Sequence, residues 1–224
     1  MPVDGDIPSA PLATVIGVEE IIEAVEAQAA DVVLLDIGGV LADDVWETML
    51  LHPRDGIASR YGLDPAAVSE VGRELWEWAS RRELEESRYW AALEETLSIE
   101  ISGDARAGLE SLIRGNPDAP RLAAGLVAAG ARVGVLSNNT SFWWPKQLLL
   151  AGTPELGAAG LRFLSCERGV SKGDDPGLIE LAAAQLNPSR PVLVDDRADH
   201  LMRAQAIGFG TVRYRFGRAR QVIA

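Results

Sequence analysis

One stretch near the start of the chain decides the fold, VVLLDIGGVL at residues 32–41. Its first four residues are apolar and rich in β-branched side chains, and Asp31 and Asp36 stand on either side of them. A short apolar run of this kind is typical of a strand buried on both faces of a parallel sheet. Two glycines, Gly38 and Gly39, then break the strand, so Asp36 is expected at its carboxyl end.

Downstream of residue 120 the sequence alternates between short apolar runs and segments with helical periodicity. It predicts strands at 132–136, 162–164, 191–194 and 211–214, and helices at 121–129, 142–150, 176–186 and 199–207. Such alternation is typical of a parallel sheet with helices on both faces. Together with the first strand it predicts an α/β fold with a Rossmann-like parallel sheet.

The segment between the first strand and the alternating region is charged and helical and has no convincing strand pattern. Asp64-Pro65 is typical of a helix start, and helices are predicted at 65–79 and 85–97. The stretch before the first helix is proline-rich and acidic. We therefore predict three parts: a flexible lead-in at 1–17, a core at 18–42 and 117–224, and an inserted all-helical cap at 43–116.

The composition argues against several kinds of partner. The 224 residues carry a formal net charge of -12, whereas nucleic acids and anionic membrane surfaces are bound by clustered Lys and Arg. No run reaches the roughly 18 apolar residues of a membrane span. Cys166 is the only cysteine, so no intramolecular disulfide can form, and a reducing, cytoplasmic location is expected. The sequence leaves the oligomeric state open.

Polar side chains follow the predicted strands at their carboxyl ends: Asp36, Ser137, Asn138, Asp195 and Asp196. Lys172 lies in the loop after the strand at 162–164. Ligands of such sheets bind beyond the carboxyl ends of the strands, so these groups are expected to converge. Adjacent carboxylates repel unless a cation lies between them, and oxygen-rich sites suit Mg²⁺. The pattern favours phosphoryl transfer, with Ser137 and Lys172 holding the non-bridging oxygens.

Four segments in this order resemble the motifs of the haloacid dehalogenase-like hydrolase superfamily: residues 33–41, residues 135–138, Lys172 and residues 192–197. The resemblance spans about residues 32–212 and includes a helical cap between the first two motifs, as in subfamily I. The stretch FWWP at 142–145 is similar to the glucose-1-phosphatase-like branch, which holds sugar-1-phosphate phosphatases. The resemblance implies a Mg²⁺-dependent phosphatase acting on a small phosphorylated metabolite, with sugar phosphates as the leading class.

The resemblance also implies a role for each matching residue. Asp36 would attack phosphorus and form an aspartyl-phosphate that water later hydrolyses. The phosphoryl oxygens would be bound by Ser137, Asn138 and Lys172, and Lys172 would also count as catalytic. The metal ligands would be Asp36, the backbone carbonyl of Gly38 and Asp196, while Asp195 would support either the metal or Lys172.

Two positions depart from the family pattern. Gly38 stands two residues after Asp36, where the family places its general acid. Glycine cannot donate a proton from a side chain, and general acid catalysis contributes on the order of 10²–10⁴-fold. Asp43 is one candidate replacement, and a weakly basic leaving group would lessen the need. His200 stands where the family most often has Asp or Asn, and it either supports the metal or simply begins a helix.

Two other functions stay open. Loss of the acid at Gly38 is also expected of a catalytically weak or inactive binding or regulatory protein with this fold. A haloacid dehalogenase would attack carbon with Asp36 and need no metal, but the carboxylates of Asp195 and Asp196 would hinder its anionic substrate. Because the other motif residues all persist, the phosphatase is the favoured function.

Overall fold

A six-stranded sheet forms the centre of the protein, seen in a computed structural model that describes residues 14–15, 17–158, 160–187 and 189–217. The strands are β1 (Thr14–Val15), β2 (Val32–Leu35), β3 (Arg132–Ser137), β4 (Arg162–Leu164), β5 (Pro191–Asp195) and β6 (Gly210–Tyr214). They lie in the order β1-β6-β5-β2-β3-β4, and every pair is parallel. The predicted α/β fold is thus confirmed.

Helices surround this sheet and fill the segment after β2. In the described residues the α-helices are α1 (Val18–Ala27), α2 (Val45–Leu51), α3 (Ile57–Tyr61), α4 (Pro65–Ala79), α5 (Glu86–Leu97), α6 (Gly103–Glu110), α7 (Ala119–Ala128), α8 (Trp144–Leu150), α9 (Ser165–Arg168), α10 (Leu178–Leu186) and α11 (Ala198–Ala206). The sequence-predicted helices match these bounds to within a few residues. Of the described helices, none is long and apolar enough to cross a membrane.

The central strand β2 is buried on both faces, as its apolar run predicts. Val33 and Leu35 pack into one core cluster with residues of α1 and α7, whereas Val32 and Leu34 pack into another with residues of α10 and α11. This alternation follows from the two-residue period of a strand. Helices therefore cover both faces of the sheet.

The helices α2 to α6 form a separate unit with an apolar core of its own. Met49, Tyr89 and Leu93 are fully buried in a third cluster that excludes the sheet. The two connections to this unit run side by side, because Asp43 N donates to Arg114 O at 2.9 Å and Asn116 N donates to Leu41 O at 2.8 Å. The inserted helical unit is therefore joined to the sheet by a paired double connection.

Most of the flexible lead-in expected at 1–17 falls outside the part of the chain that the structure describes. Residues 1–13 and 16 lie outside the described residues. Thr14 and Val15, however, form the edge strand β1, which pairs with Arg213 and Tyr214 of β6. A two-residue strand gives almost no sequence signal, and it forms here because the edge of β6 offers unpaired backbone groups.

Candidate active site

The strand register places the polar residues of the motifs at one edge of the sheet. Leu35 of β2 is paired with Val135 of β3 and with Val194 of β5. The next residue, Asp36, donates its backbone N–H to the carbonyl of Val194 at 2.9 Å. Asp36, Ser137 and Asp195 therefore leave three adjacent strands at almost the same height. The convergence expected from the sequence is present in the structure.

A fully buried lysine, Lys172, connects the carboxyl end of β2 to the carboxyl end of the neighbouring strand β5. The Nζ of Lys172 lies 2.6 Å from an Oδ of Asp36 and 2.6 Å from an Oδ of Asp195. The Oδ1 of Asn138 accepts a hydrogen bond from the backbone N–H of Lys172 at 2.8 Å. This contact holds the lysine loop against the end of β3, so that the ammonium group reaches both carboxylates.

The charges of this cluster depend on one another. Burial would lower the pKa of Lys172, but Asp195 and Asp36 outweigh burial and raise it, so the side chain is an ammonium. Burial also raises the pKa of Asp36 to about 6, with Lys172 opposing the rise and Asp195 adding to it. For Asp195, burial is outweighed by Lys172 and His200, which hold its pKa below the usual range. Asp36 is thus the less firmly ionised carboxyl of the pair.

His200 contacts this cluster from the start of α11. Its Nδ1 lies 3.2 Å from Asp195 Oδ2, and its side chain is almost fully buried. The carboxylates of Asp36 and Asp195 and the ring of His200 offer ligand atoms within 4.8 Å of one another. The ammonium of Lys172 already lies among these groups and would repel a cation there. His200 therefore orients Asp195 in this arrangement.

The carboxyl group of Asp196 lies against the loop that follows β2. A Cβ atom on Gly39 would stand only 2.7 Å from the Cγ and Oδ2 of Asp196, and Gly39 has φ +74°. Only glycine combines that backbone angle with so close an approach. Burial and the neighbouring Asp195 raise the pKa of Asp196, while Arg215, whose Nη1 is 3.5 Å from its Oδ2, opposes the rise.

A cavity of about 360 Å³ opens between this edge of the sheet and the inserted helices. It is lined from the sheet side by Asp36, Gly38, Asn138, Asn139, Gln147, Ser171, Gly173, Asp174, Asp196, Arg197, Asp199 and His200, and from the insert side by Asp44, Val45, Trp46, Arg73, Trp76, Glu77, Ser80 and Arg81. Lys172, Asp195 and Ser137 are buried and stand outside this lining. Lys172 and Asp195 thus lie behind the carboxyl group of Asp36 as seen from the cavity.

The two acidic residues at the entrance to the insert face different ways. Asp43 is turned away from the cavity, because its Oδ2 accepts hydrogen bonds from the backbone N–H and Nε of Arg114 at 3.0 and 2.9 Å. Asp44 lines the cavity instead. Burial raises the pKa of Asp44 to about 8, with the nearby charges of Glu47, Asp196 and Asp36 adding to the rise. The structure therefore brings Asp44, and not the expected Asp43, towards Asp36.

Sequence reasoning missed the residues that the insert contributes to the cavity. Asp44, Trp46, Arg73 and Trp76 all line it, and Trp76 Nε1 donates to the carbonyl of Asn138 at 3.4 Å. The sequence analysis named the adjacent Asp43 as a candidate acid. The sequence carries no signal, however, for which of the two carboxyl groups faces the cavity. That choice is made by the hydrogen bonds that hold Asp43 to Arg114.

The side chains at the cavity floor fit a hard divalent cation. Asp36 and Asp196 gather there, and the charge of Asp196 adds to the rise in the pKa of Asp36. Such mutual repulsion is relieved when a cation lies between the carboxylates. Their ligand atoms are all oxygens, the donors that Mg²⁺ prefers.

Comparisons with known proteins identify the fold. No family model matches the chain, and no curated protein sequence matches it. A haloacid dehalogenase family enzyme from Bacteroides thetaiotaomicron, solved with magnesium and inorganic phosphate, matches at a TM-score of 0.63 and 17% identity, over 87% of this chain and 100% of that one. A predicted HAD-like (haloacid dehalogenase-like) family hydrolase from Porphyromonas gingivalis matches at a TM-score of 0.57 and 20% identity, over 87% of this chain and 100% of that one.

A third solved structure is more distant. The L-2-haloacid dehalogenase from Xanthobacter autotrophicus, with chloropropionic acid covalently bound, matches at a TM-score of 0.50 and 20% identity, over 82% of this chain and 77% of that one. The chain therefore has the haloacid dehalogenase-like fold, a Rossmann-like core with a helical insert, as the motifs in the sequence predict.

Proposed function

We propose that this protein is a Mg²⁺-dependent phosphatase that hydrolyses a small phosphorylated metabolite through an aspartyl-phosphate on Asp36. The observation that carries the proposal is the position of Asp36. Its carboxyl group ends the central strand, opens into the cavity and is held at 2.6 Å by the buried ammonium of Lys172. A carboxylate fixed at the floor of a cavity in this way is oriented for nucleophilic attack.

Each neighbouring group has a part in this proposal. Asp36, Asp196 and the backbone carbonyl of Gly38 would hold Mg²⁺, which when bound neutralises charge on the phosphoryl oxygens. Lys172 neutralises Asp36 before the reaction and binds a phosphoryl oxygen during it, together with Ser137 and Asn138. Asp195, held by His200 at 3.2 Å, keeps Lys172 charged and in place. Asp195 is thus assigned to the lysine and not to the metal.

The inserted helical unit is proposed to act as the cap of the site. Its residues supply one wall of the cavity, and Trp46 and Trp76 stand there beside polar side chains such as Ser80. Hydroxyl groups and ring faces of a sugar would suit this mixture, so a sugar phosphate is the favoured substrate class. A volume of about 360 Å³ limits the substrate to a small molecule.

The related folds support this proposal in part. The Bacteroides enzyme is solved with magnesium and inorganic phosphate, the two groups that the proposed site would bind. The dehalogenase from Xanthobacter, solved with chloropropionic acid covalently bound, has the same fold, so the fold alone does not separate the two activities. In this chain a dehalogenase is disfavoured because Asp36 and Asp196 place negative charge at the cavity floor, which would repel a haloacid carboxylate unless a cation were bound.

A second candidate function is a binding protein that keeps the fold without catalysis. Gly38 favours it, because the family's proton donor is missing from that position. Such a protein would bind a phosphorylated ligand at Lys172 and Mg²⁺ and release it unchanged. Turnover therefore separates the two functions, whereas binding alone does not.

The test is hydrolysis of p-nitrophenyl phosphate and a panel of sugar phosphates, with Mg²⁺ and with EDTA. We expect turnover that EDTA abolishes and that Asp36→Asn lowers by at least about 10³-fold, because the nucleophile is lost. Asp31→Asn is the matched control, since Asp31 stands at the opposite end of the same strand and binds the backbone N–H of Arg190. Phosphate binding without turnover in the wild type would contradict the phosphatase and support the binding protein.

A further inference from the structure

We propose that Asp44 donates the proton to the leaving group, so that a carboxyl group from the start of the cap replaces the side chain that Gly38 lacks. The inference rests on the proposed phosphatase function and adds a catalytic residue to it. It concerns the step in which the bond between phosphorus and the leaving oxygen breaks, the step at which the missing family acid would have acted.

The space beside Gly38 is filled by Asp44. A Cβ atom built on Gly38 would have Asp44 Oδ2 as its nearest neighbour, at 3.6 Å, followed by the Cα and Cγ of Asp44 at 3.8 Å. The carboxyl of Asp44 thus lies where a side chain at position 38 would extend. The glycine at position 38 leaves room for the carboxyl group of Asp44, since a longer side chain at 38 would compete with Asp44 for that space.

The Asp44 carboxyl is free to act on a substrate. Asp44 is the N-cap residue of α2, a position where aspartate normally accepts a hydrogen bond from the helix N–H groups. Asp64 does so at the start of α4, accepting from Ala66 N and Ala67 N. The side chain of Asp44 makes no capping bond, and within the described part of the chain no hydrogen bond or ion pair engages its carboxyl group.

The neighbouring residue shows the contrast. Asp43 binds the backbone N–H and the Nε of Arg114 through Oδ2, and its Oδ1 accepts from Nη2 at 3.3 Å. These bonds fix the connection into the helical unit and leave Asp43 outside the cavity. One of two adjacent carboxyls is therefore committed to structure, while the other projects unpartnered into the cavity that Asp36 faces.

The proposed step is balanced as follows. An oxygen of Asp36 forms a bond to phosphorus while the bond from phosphorus to the leaving oxygen breaks, and the proton of the Asp44 carboxyl passes to that oxygen, which leaves as an alcohol. The Asp44 carboxylate then takes a proton from the water that attacks the aspartyl-phosphate. Inorganic phosphate is released, Asp36 is again a carboxylate, and Asp44 is again protonated.

The experiment compares kcat/KM on two esters with different need for a proton. Nitrophenolate leaves p-nitrophenyl phosphate without protonation, whereas the alkoxide of glycerol 2-phosphate does not leave readily unless it is protonated. We expect Asp44→Asn to lower kcat/KM by about 10²-fold or more on glycerol 2-phosphate and by less than about tenfold on p-nitrophenyl phosphate. Asp43→Asn is the matched control, and we expect it to leave the ratio between the two esters unchanged.

A second variant protects the test against misfolding of the first. The double variant Gly38→Asp/Asp44→Ala transfers the carboxyl group from position 44 to position 38. It is expected to recover much of the activity on glycerol 2-phosphate that the single variant Asp44→Ala loses. An equal loss on both esters, or no recovery in a folded double variant, would overturn the role of Asp44. A wild-type enzyme that hydrolyses neither ester nor any sugar phosphate would instead overturn the phosphatase itself.

Discussion

At the scale of single residues, the proposed metal site depends on how closely Gly39 lets the loop after β2 approach Asp196. Gly39→Ala would place a methyl group 2.7 Å from the Asp196 carboxyl at a backbone φ of +74°, so the carboxyl must move. We expect the Mg²⁺ concentration for half-maximal activity to rise by at least about tenfold, since loss of a ligand's position weakens metal binding substantially. A Mg²⁺ titration of activity measures this.

The control for that substitution is Gly62→Ala. Gly62 has a similar φ of +64° but has open space around its Cβ position, so its substitution carries the backbone strain without the clash. Strain of this kind costs about 1–3 kcal/mol of stability, and we expect no change in the Mg²⁺ requirement. If both alanine variants shifted the requirement equally, contact between Gly39 and Asp196 would not be the cause.

Some residues of the candidate site can be predicted from the sequence and others cannot. Asp36, Ser137 and Asp195 could be placed together because each follows a buried apolar strand, and parallel strands end at one edge. The position of Asp44 could not be predicted. Asp43 and Asp44 have the same chemistry and adjacent positions, and only the hydrogen bonds of Arg114 to Asp43 decide which carboxyl remains for the cavity.

At the scale of elements, one arginine links the helical insert to the loop that carries Lys172. Nη2 of Arg81, just after α4, lies 2.9 Å from Asp174 Oδ1 and 3.3 Å from Ser171 Oγ. We expect Arg81→Met to raise KM by about tenfold, because the cap then closes less firmly over the cavity. The pair is partly exposed, so the free energy of unfolding should change by less than about 1 kcal/mol.

Arg82→Met provides the comparison, because the Arg82 guanidinium lies over the ring of Trp78, 5.2 Å from its centroid, and does not line the cavity. Steady-state kinetics with denaturant unfolding of both variants distinguishes the two sites. An unchanged KM in Arg81→Met, or equal changes in both variants, would show that this link does not control closure.

Element boundaries were predictable where local signals exist, and long-range packing was not. Asp64 and Pro65 mark the start of α4 in the sequence as they do in the structure. Trp143, in contrast, follows β3 in the sequence, yet its side chain is buried in the apolar core of the helical insert with Tyr89 and Leu93. No local sequence pattern reveals that a residue between β3 and α8 completes the apolar core of the helical insert.

At the scale of the whole molecule, the site joins segments that are far apart in sequence. Asp36 follows β2, Asp44 begins the insert, Lys172 follows α9, and Asp196 follows β5. A cation held by Asp36 and Asp196 can exist only when these segments are folded together. Binding of Mg²⁺ at the proposed site would therefore be coupled to folding, because a ligand that binds only the folded state stabilises it by mass action.

This coupling predicts that Mg²⁺ protects Cys166. The thiol is buried among residues of the sheet core, and burial raises its pKa to about 11, so it reacts with a disulfide reagent only when the fold opens. At a Mg²⁺ concentration about 100 times its Kd, stabilisation of about 2.7 kcal/mol slows labelling by about a hundredfold. The thermal unfolding midpoint, followed by circular dichroism, should rise in parallel.

The Asp196→Asn variant separates specific binding from a general salt effect. It preserves the shape of the side chain but removes a carboxylate from the proposed metal site, so Mg²⁺ should no longer slow labelling or raise the midpoint. Protection by Mg²⁺ that persisted in this variant would place the cation elsewhere on a chain of net charge -12. Protection lost in Asp196→Asn but retained in Asp44→Asn would assign the two carboxyls of the cavity different tasks, one in holding the cation and the other in moving the proton.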